Sequence, residues 1–139
     1  MTTSNIVLKQ QAPTVEEFAA IRILIGWSNP QLSTLANSMQ ASLFWVSAYR
    51  DDKLIGTGRV IGDGSMYFYI QDIIVHPEHQ NIGLGSQIMG LIGAYLDENC
   101  QSGATIGLLA AQGKETFYEK FGFTSRDGTK LGLGMCKFV

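Results

Sequence analysis

The sequence predicts an α/β fold: one domain over residues 1–139, with a central mixed β-sheet covered by helices. Three observations predict it. Apolar residues recur at helical spacing in two stretches before residue 40 and again from Leu84. Strand-like segments between Leu43 and Val75 are separated by short Asp- and Gly-rich turns, the pattern of a meander. A strand–helix–strand step then follows, and two strands joined through a helix require a crossover, which makes the sheet mixed.

Taken in order, Ile6 to Leu8 predicts a short first strand. Thr14-Val15-Glu16-Glu17 reads as a capping box, with Phe18, Ile21, Leu24 and Ile25 on one helical face behind it. Asn29-Pro30 predicts a second start, Asn as cap and Pro in the first turn, followed by Leu32, Leu35, Ala36 and Met39. Leu43 to Tyr49, the turn Asp51-Asp52-Lys53 and Leu54 to Ile61 form a hairpin signal. Gly62-Asp63-Gly64 turns the chain into a third strand, Met66 to Val75, which Pro77 ends because proline cannot continue a ladder. Leu84, Ile88, Leu91, Ile92, Tyr95 and Leu96 share one helical face. Gly90 and Gly93 weaken that helix by about 1 kcal/mol each relative to Ala, and are expected to mark close packing on the sheet. Ala104 to Ala110 predicts an apolar strand suited to a sheet centre, and Lys114 to Phe121 a short helix. Phe123-Thr124 and Leu133 to Phe138 are expected to pair as a last hairpin around Asp127-Gly128.

At 139 residues the chain is long enough to bury one substantial core. A formal charge of −2 with 16% charged residues and no basic run disfavours nucleic acid and anionic membrane as partners. The two cysteines, Cys100 and Cys136, lack metal-ligand spacing and are too few for a disulfide framework, so reduced thiols and no metal are expected. With no signal-peptide pattern and no apolar run of membrane length, the expected location is cytoplasmic.

The most informative stretch runs from Ile73 to Ser86. A strand ends, a loop turns, and Gly83-Leu84-Gly85 leads into a helix. Glycines clear side chains from converging backbone amides, and a helix start adds unpaired N–H groups with partial positive charge. Such an assembly holds a phosphate or pyrophosphate without a lysine. The same spacing also serves a plain strand-to-helix turn, and spacing alone leaves both readings open. A dinucleotide fingerprint fits less well, since its third glycine would fall at Ile88, and a Walker A loop lacks its Gly-Lys-Ser/Thr.

Gln80-x-x-Gly83-x-Gly85 after an apolar strand resembles motif A of the GNAT superfamily of acetyl-CoA-dependent N-acetyltransferases. Phe117-Tyr118-Glu119-Lys120-Phe121-Gly122-Phe123 resembles that superfamily's F-Y-x-x-x-G-F signature, and the two stand in the family's order. The resemblance covers residues 43–123 and, more loosely, the two N-terminal helices. It implies a partly splayed sheet with about four helices, and acetyl-CoA as co-substrate. Ile73, Ile74 and Val75 would pair with the pantetheine arm. Gln80, Asn81, Ile82, Gly83, Leu84, Gly85 and Ser86 would hold the pyrophosphate. Gln112 stands nearest the family's cofactor-contacting Asn and would make a similar amide contact; the family's acidic residue beside Asp72 is here Gln71, which makes a polyamine acceptor less expected.

The resemblance also implies roles in the transfer. Tyr118, near pKa ~10 as a free phenol, would protonate the departing thiolate, and would also lie at the cofactor sulfur. A core tyrosine packed by Phe117 and Phe121 is the alternative. Asp72 would act as base, directly or through water, or bind a cationic amine; a hydrogen-bonded structural Asp fits as well. A strand amide near Ile73 or Ile74 would polarise the carbonyl. The acceptor, a small-molecule or peptide amine, would sit among the first two helices, their joining turn and the meander. Trp27, Tyr69, Gln71 and Asp72 are the candidates there, with Trp45, Arg59 and Tyr67 as further lining or core residues. His76 and His79 are expected at the surface. Leu131, Leu133 and Met135 on an exposed strand predict a homodimer. A non-catalytic acyl-CoA-binding domain on the same fold is the alternative function.

Overall fold

The expected capping box opens the first helix: Glu17 N donates to Thr14 Oγ1 at 3.1 Å, and Thr14 N donates to Glu17 Oε1 at 2.9 Å. A computed structural model describes residues 5–139, in the order β1 (Ile6–Lys9), α1 (Val15–Leu24), α2 (Leu32–Gln40), β2 (Phe44–Arg50), β3 (Lys53–Gly62), β4 (Tyr67–Val75), α3 (Leu84–Asn99), β5 (Thr105–Leu108) and α4 (Glu115–Glu119). A single 3-10 turn, Pro77–His79, separates β4 from α3. The five strands form one sheet in the order β1-β2-β3-β4-β5. The first four are antiparallel neighbours. Thr105 N, at the start of β5, donates to Met66 O beside the start of β4 at 2.8 Å. The α3 crossover therefore delivers a parallel neighbour, and the sheet is mixed. The chain forms two compact units, one reaching Gly107 and the other Leu108–Val139.

In the first unit, helices cover both faces of the sheet. Phe18 and Ile21 of α1 and Leu35 and Met39 of α2 pack on Trp45 and Ile74. On the other face Leu84, Ile88, Met89, Ile92 and Leu96 of α3 are buried. What lets α3 approach is the absence of side chains on β3, not on the helix. A Cβ at Gly58 would lie 2.7 Å from Ile73 Cδ1, 2.8 Å from Ile88 Cγ2 and 2.8 Å from Ile92 Cδ1. At Gly90 and Gly93 an added Cβ would meet nothing within 4 Å, so these glycines are not the packing positions the sequence suggested.

Other expectations are corrected too. Asn29-Pro30 does not start α2, whose N-cap is Gln31. Asn29 is spent elsewhere: its Oδ1 accepts from Arg22 Nε at 2.8 Å and its Nδ2 donates to Ala19 O at 2.9 Å. Leu24, expected on the apolar face of α1, is 51% exposed. β5 is shorter than Ala104–Ala110 and lies at the sheet edge rather than its centre. The last hairpin is absent: residues 123–139 contain no strand. Gly132 and Gly134 alternate with Leu131, Leu133 and Met135, so one face of a strand there would carry no side chains to pair. These apolar residues are exposed, Met135 at 93%, and the edge strand invoked for a dimer is not formed.

Candidate active site

β4 is interrupted where the chemistry was expected. Its register with β3 runs Thr57↔Ile74, then Arg59↔Gln71, so Asp72 and Ile73 together face the single residue Gly58. This is a β-bulge. Asp72 holds it with φ 55°, in the left-handed region that favours glycine and tolerates Asp. The bulge pulls Asp72 and Ile73 out of regular pairing and turns the Asp72 side chain into the protein.

There the carboxylate, 0% exposed as a side chain, accepts from two arginines. Arg59 Nε donates to Oδ2 at 2.9 Å and Arg22 Nη1 donates to Oδ1 at 3.0 Å. Gln71 Nε2 donates to Oδ1 at 3.3 Å, while Thr57 Oγ1 donates to the Asp72 carbonyl at 2.8 Å. A buried carboxylate is tolerated only when paired in this way. Arg59 also donates through Nη1 to Ser38 O, Ser38 Oγ and Ser42 Oγ, tying the end of α2 to the bulge. Trp45 lies beneath it, with its ring centroid 5.3 Å from Arg59 Cζ, and Trp45 Nε1 donates to Met39 O at 3.2 Å. Trp45 is thus a core residue. Trp27 is 36% exposed and lies over Arg22, with Arg22 Cζ 5.2 Å from the ring centroid. Tyr67 is 58% exposed at the start of β4.

β4 then runs into the glycine loop. Gln80 Nε2 donates to Val75 O at 3.3 Å, closing the strand end. Asn81 (φ 65°) and Gly83 (φ 83°) are left-handed, and Gly83 is the N-cap of α3 with no side chain bonded to the first-turn amides. A Cβ at Gly83 would meet nothing within 4 Å, so the space in front of those amides is open. A 16-residue helix beginning without a side-chain cap offers its amides and the positive end of its dipole to an anion. Ile82 beside them is 57% exposed. His76 Nδ1 accepts from Glu78 N at 3.1 Å, a local turn contact, and desolvation lowers the pKa of His79.

In the second unit, Tyr118 lies on α4 between Phe117 (ring centroids 5.0 Å apart) and Phe123 (6.5 Å). Desolvation raises its phenol pKa above the ordinary 10. Gln112 is exposed ahead of α4.

The family model for the acetyltransferase (GNAT) domain matches residues 40–125. The chain belongs to the GNAT family. A solved structure of a probable acetyltransferase of unknown function from meticillin-resistant Staphylococcus aureus is 32% identical, covering 96% of this chain and all of that one, at a TM-score of 0.86. A GNAT family protein from Streptococcus pneumoniae is 26% identical, covering 97% and 98% of the two chains, at a TM-score of 0.78. An uncharacterized N-acetyltransferase, ycf52-like, from Prochlorococcus marinus is 29% identical over 72% of this chain, and the chain spans only 57% of that relative's length.

Of the residues singled out in this GNAT sequence, the first unit brings Trp27 and Asp72 to one arginine, with Gln71 on Asp72, and places Ile73, Ile74 and Val75 on the strand that enters the glycine loop. Tyr118 and Gln112 belong to the second unit. The residue sequence reasoning missed is Arg22. It falls at i+4 from Phe18, so helical spacing alone puts it beside the buried face of α1, where a charge demands a partner. Among the described residues no group of His, Cys, Asp and Glu is arranged to hold a metal, and no helix is long and apolar enough to cross a membrane.

Proposed function

We propose that this protein is an acetyl-CoA-dependent N-acetyltransferase acting on a primary amine by direct attack within a ternary complex. The observation that carries it is a bulged β4 leading, through one short loop, into a glycine-led helix with no side-chain cap. The amides around Gly83, Leu84, Gly85 and Ser86 suit a pyrophosphate, and the β4 backbone at Ile73 to Val75 suits an extended amide-containing arm. Gln80, Asn81 and Ile82 shape the loop, and Gln112 supplies a further amide.

Bound there, acetyl-CoA supplies an acyl group activated as a thioester. The transfer forms an N–C bond and breaks a C–S bond, the sulfur taking the electron pair and the acylated nitrogen releasing its proton to solvent. Tyr118, a phenol protonated at neutral pH, donates its proton to that sulfur and is restored from solvent. The backbone at the bulge is the hydrogen-bond donor to the carbonyl oxygen as charge develops. Of the roles open to Asp72, the geometry favours holding: both carboxylate oxygens already accept from guanidinium groups. Two arginines around one carboxylate leave an excess positive charge, which disfavours polycationic acceptors and suits a monoamine, with Trp27, Tyr69 and Gln71 lining its side. The apolar residues 131–139 are proposed to be covered by a second copy; light scattering at twice the chain mass supports a dimer, and a monomer mass at high concentration refutes it.

The test is a screen of amines at saturating acetyl-CoA, read as free thiol. Amine-dependent thiol release supports the reading; thermal protection by acetyl-CoA with no release from any amine indicates a binding domain. Gly85→Asp puts a carboxylate where the pyrophosphate is proposed to sit, and should abolish the protection. Equal binding by wild type and variant in calorimetry refutes the loop assignment.

A further inference from the structure

Arg22 has more partners than a buried arginine needs for neutralisation. Nη1 donates to Asp72 Oδ1 at 3.0 Å, Nε to Asn29 Oδ1 at 2.8 Å, and Nη2 to Ser28 O at 3.0 Å. Its Cζ lies 5.2 Å from the Trp27 ring centroid and 5.7 Å from that of Phe18. All three nitrogens of the fork are thus engaged. Of its hydrogen-bond partners, one is the bulge of β4 and the other two belong to the connection between α1 and α2.

The bulge needs such support. Asp72 is a non-glycine residue at φ 55°, and such a conformation persists only where its surroundings over-determine it. Thr57 holds the Asp72 carbonyl, and Arg59 holds one carboxylate oxygen from the end of α2. Arg22 holds the other oxygen, and it alone also grips the loop that carries the exposed Trp27. Removing Arg59 would loosen the bulge but leave the loop anchored. Removing Arg22 loosens both at once, leaving the bulge to Thr57 and Arg59 and the loop to the Asn29–Ala19 bond.

We infer that Arg22 is a positioning residue for the transfer: by gripping Asp72, Asn29 and Ser28 at once it fixes the backbone at Ile73 and the ring of Trp27 in one geometry, setting acceptor against acyl group. This rests on the acetyltransferase reading above. A lysine carries the same charge but cannot present three donors in a planar fork, so the role is specific to arginine.

The experiment compares Arg22→Lys and Arg22→Met in the full chain, at a temperature where circular dichroism shows both folded. Each is assayed for acetyl-CoA Kd, for kcat and KM with an amine the wild type accepts, and for the NMR positions of the Ile73 amide, the Trp27 indole and the Gly83 amide. Misplacement of reacting groups by about an ångström is worth on the order of 100-fold in rate. We expect kcat to fall by about 10- to 100-fold in both variants, with acetyl-CoA Kd within about twofold of wild type. The Ile73 and Trp27 signals should move together, and the Gly83 amide should stay. Unchanged kcat in folded Arg22→Met, or an unmoved Ile73 amide, overturns the inference. Full recovery of kcat by Lys overturns it as well, since charge alone would then suffice. If the wild type acetylates no amine, the functional reading fails by itself, and the joint movement of Ile73 and Trp27 still decides whether Arg22 couples bulge and loop.

Discussion

Replacing glycines with alanine should have opposite effects on the two sides of the α3–sheet contact. At Gly58 an added Cβ would lie 2.7–2.8 Å from three side-chain atoms, on Ile73, Ile88 and Ile92, the last two buried in the core. A single flexible end can rotate away from such a contact; three converging ends cannot all do so without shifting α3. Overpacking of this kind typically costs about 1–3 kcal/mol. Relief of glycine's excess chain entropy in a strand returns roughly 0.5–1 kcal/mol. These ranges bracket a net change of roughly 0–2.5 kcal/mol, and with three contacts under 3 Å Gly58→Ala should destabilise toward the upper end, by about 2 kcal/mol. At Gly90 and Gly93 an added Cβ meets nothing within 4 Å, and neither glycine has a positive φ. Each alanine there should stabilise by about 0.8–1 kcal/mol, the helix-propensity difference. Urea denaturation of the three variants, with a common slope, measures the differences directly. Loss of stability in Gly90→Ala, or a neutral Gly58→Ala, would show that the close approach lies on the helix and not on β3.

Tyr118→Phe should lower turnover by roughly 100-fold with acetyl-CoA affinity nearly unchanged, because the ring is kept and only the acid is lost; unchanged turnover in steady-state assays removes the acid role. Asp72→Asn breaks a buried charge network, so a loss of about 3–5 kcal/mol in denaturation is expected. If the residual activity of Asp72→Asn recovers as pH approaches the amine's own pKa, Asp72 is a base after all, and a pH-independent deficit supports the holding role. Tyr49, whose hydroxyl donates to Glu17 at 2.9 Å, has its pKa raised to about 12, by desolvation first and then by Glu17. Above pH 10 the unfolded tyrosine loses its proton while the folded one keeps it, so the unfolded state binds fewer protons. Stability should then fall between about pH 10 and 12, and Tyr49→Phe should flatten that fall in pH-dependent melts.

Much of the fold was legible because local rules and tertiary contacts agree. Thr14 and Glu17 cap each other without help from the rest of the chain, and the 43–75 meander follows from alternation and turn residues. Misreadings came where a residue is claimed by a distant partner. Asn29 reads as a helix cap until Arg22 and Ala19 take its side chain, and Leu24 reads as buried but lies exposed at the last residue of α1. Gly90 and Gly93 attract attention because helices rarely want glycine, while Gly56 and Gly58 pass unnoticed among turn-rich strands. The site divides the same way. The glycine loop and Tyr118 are expectations carried by contiguous motifs, each within one segment. The Arg22–Asp72–Arg59 cluster joins positions 22, 59 and 72, and no local pattern announces it except a charge on an apolar helical face.

The start of α3 also constrains how this sequence can change. A serine or aspartate N-cap is worth about 1 kcal/mol to an ordinary helix, and selection for stability alone would favour one. At position 83 the backbone is left-handed, so such a residue would be strained, and its side chain would occupy the open space in front of the first-turn amides. Drift toward a sturdier helix and retention of an anion cradle are therefore mutually exclusive at this residue.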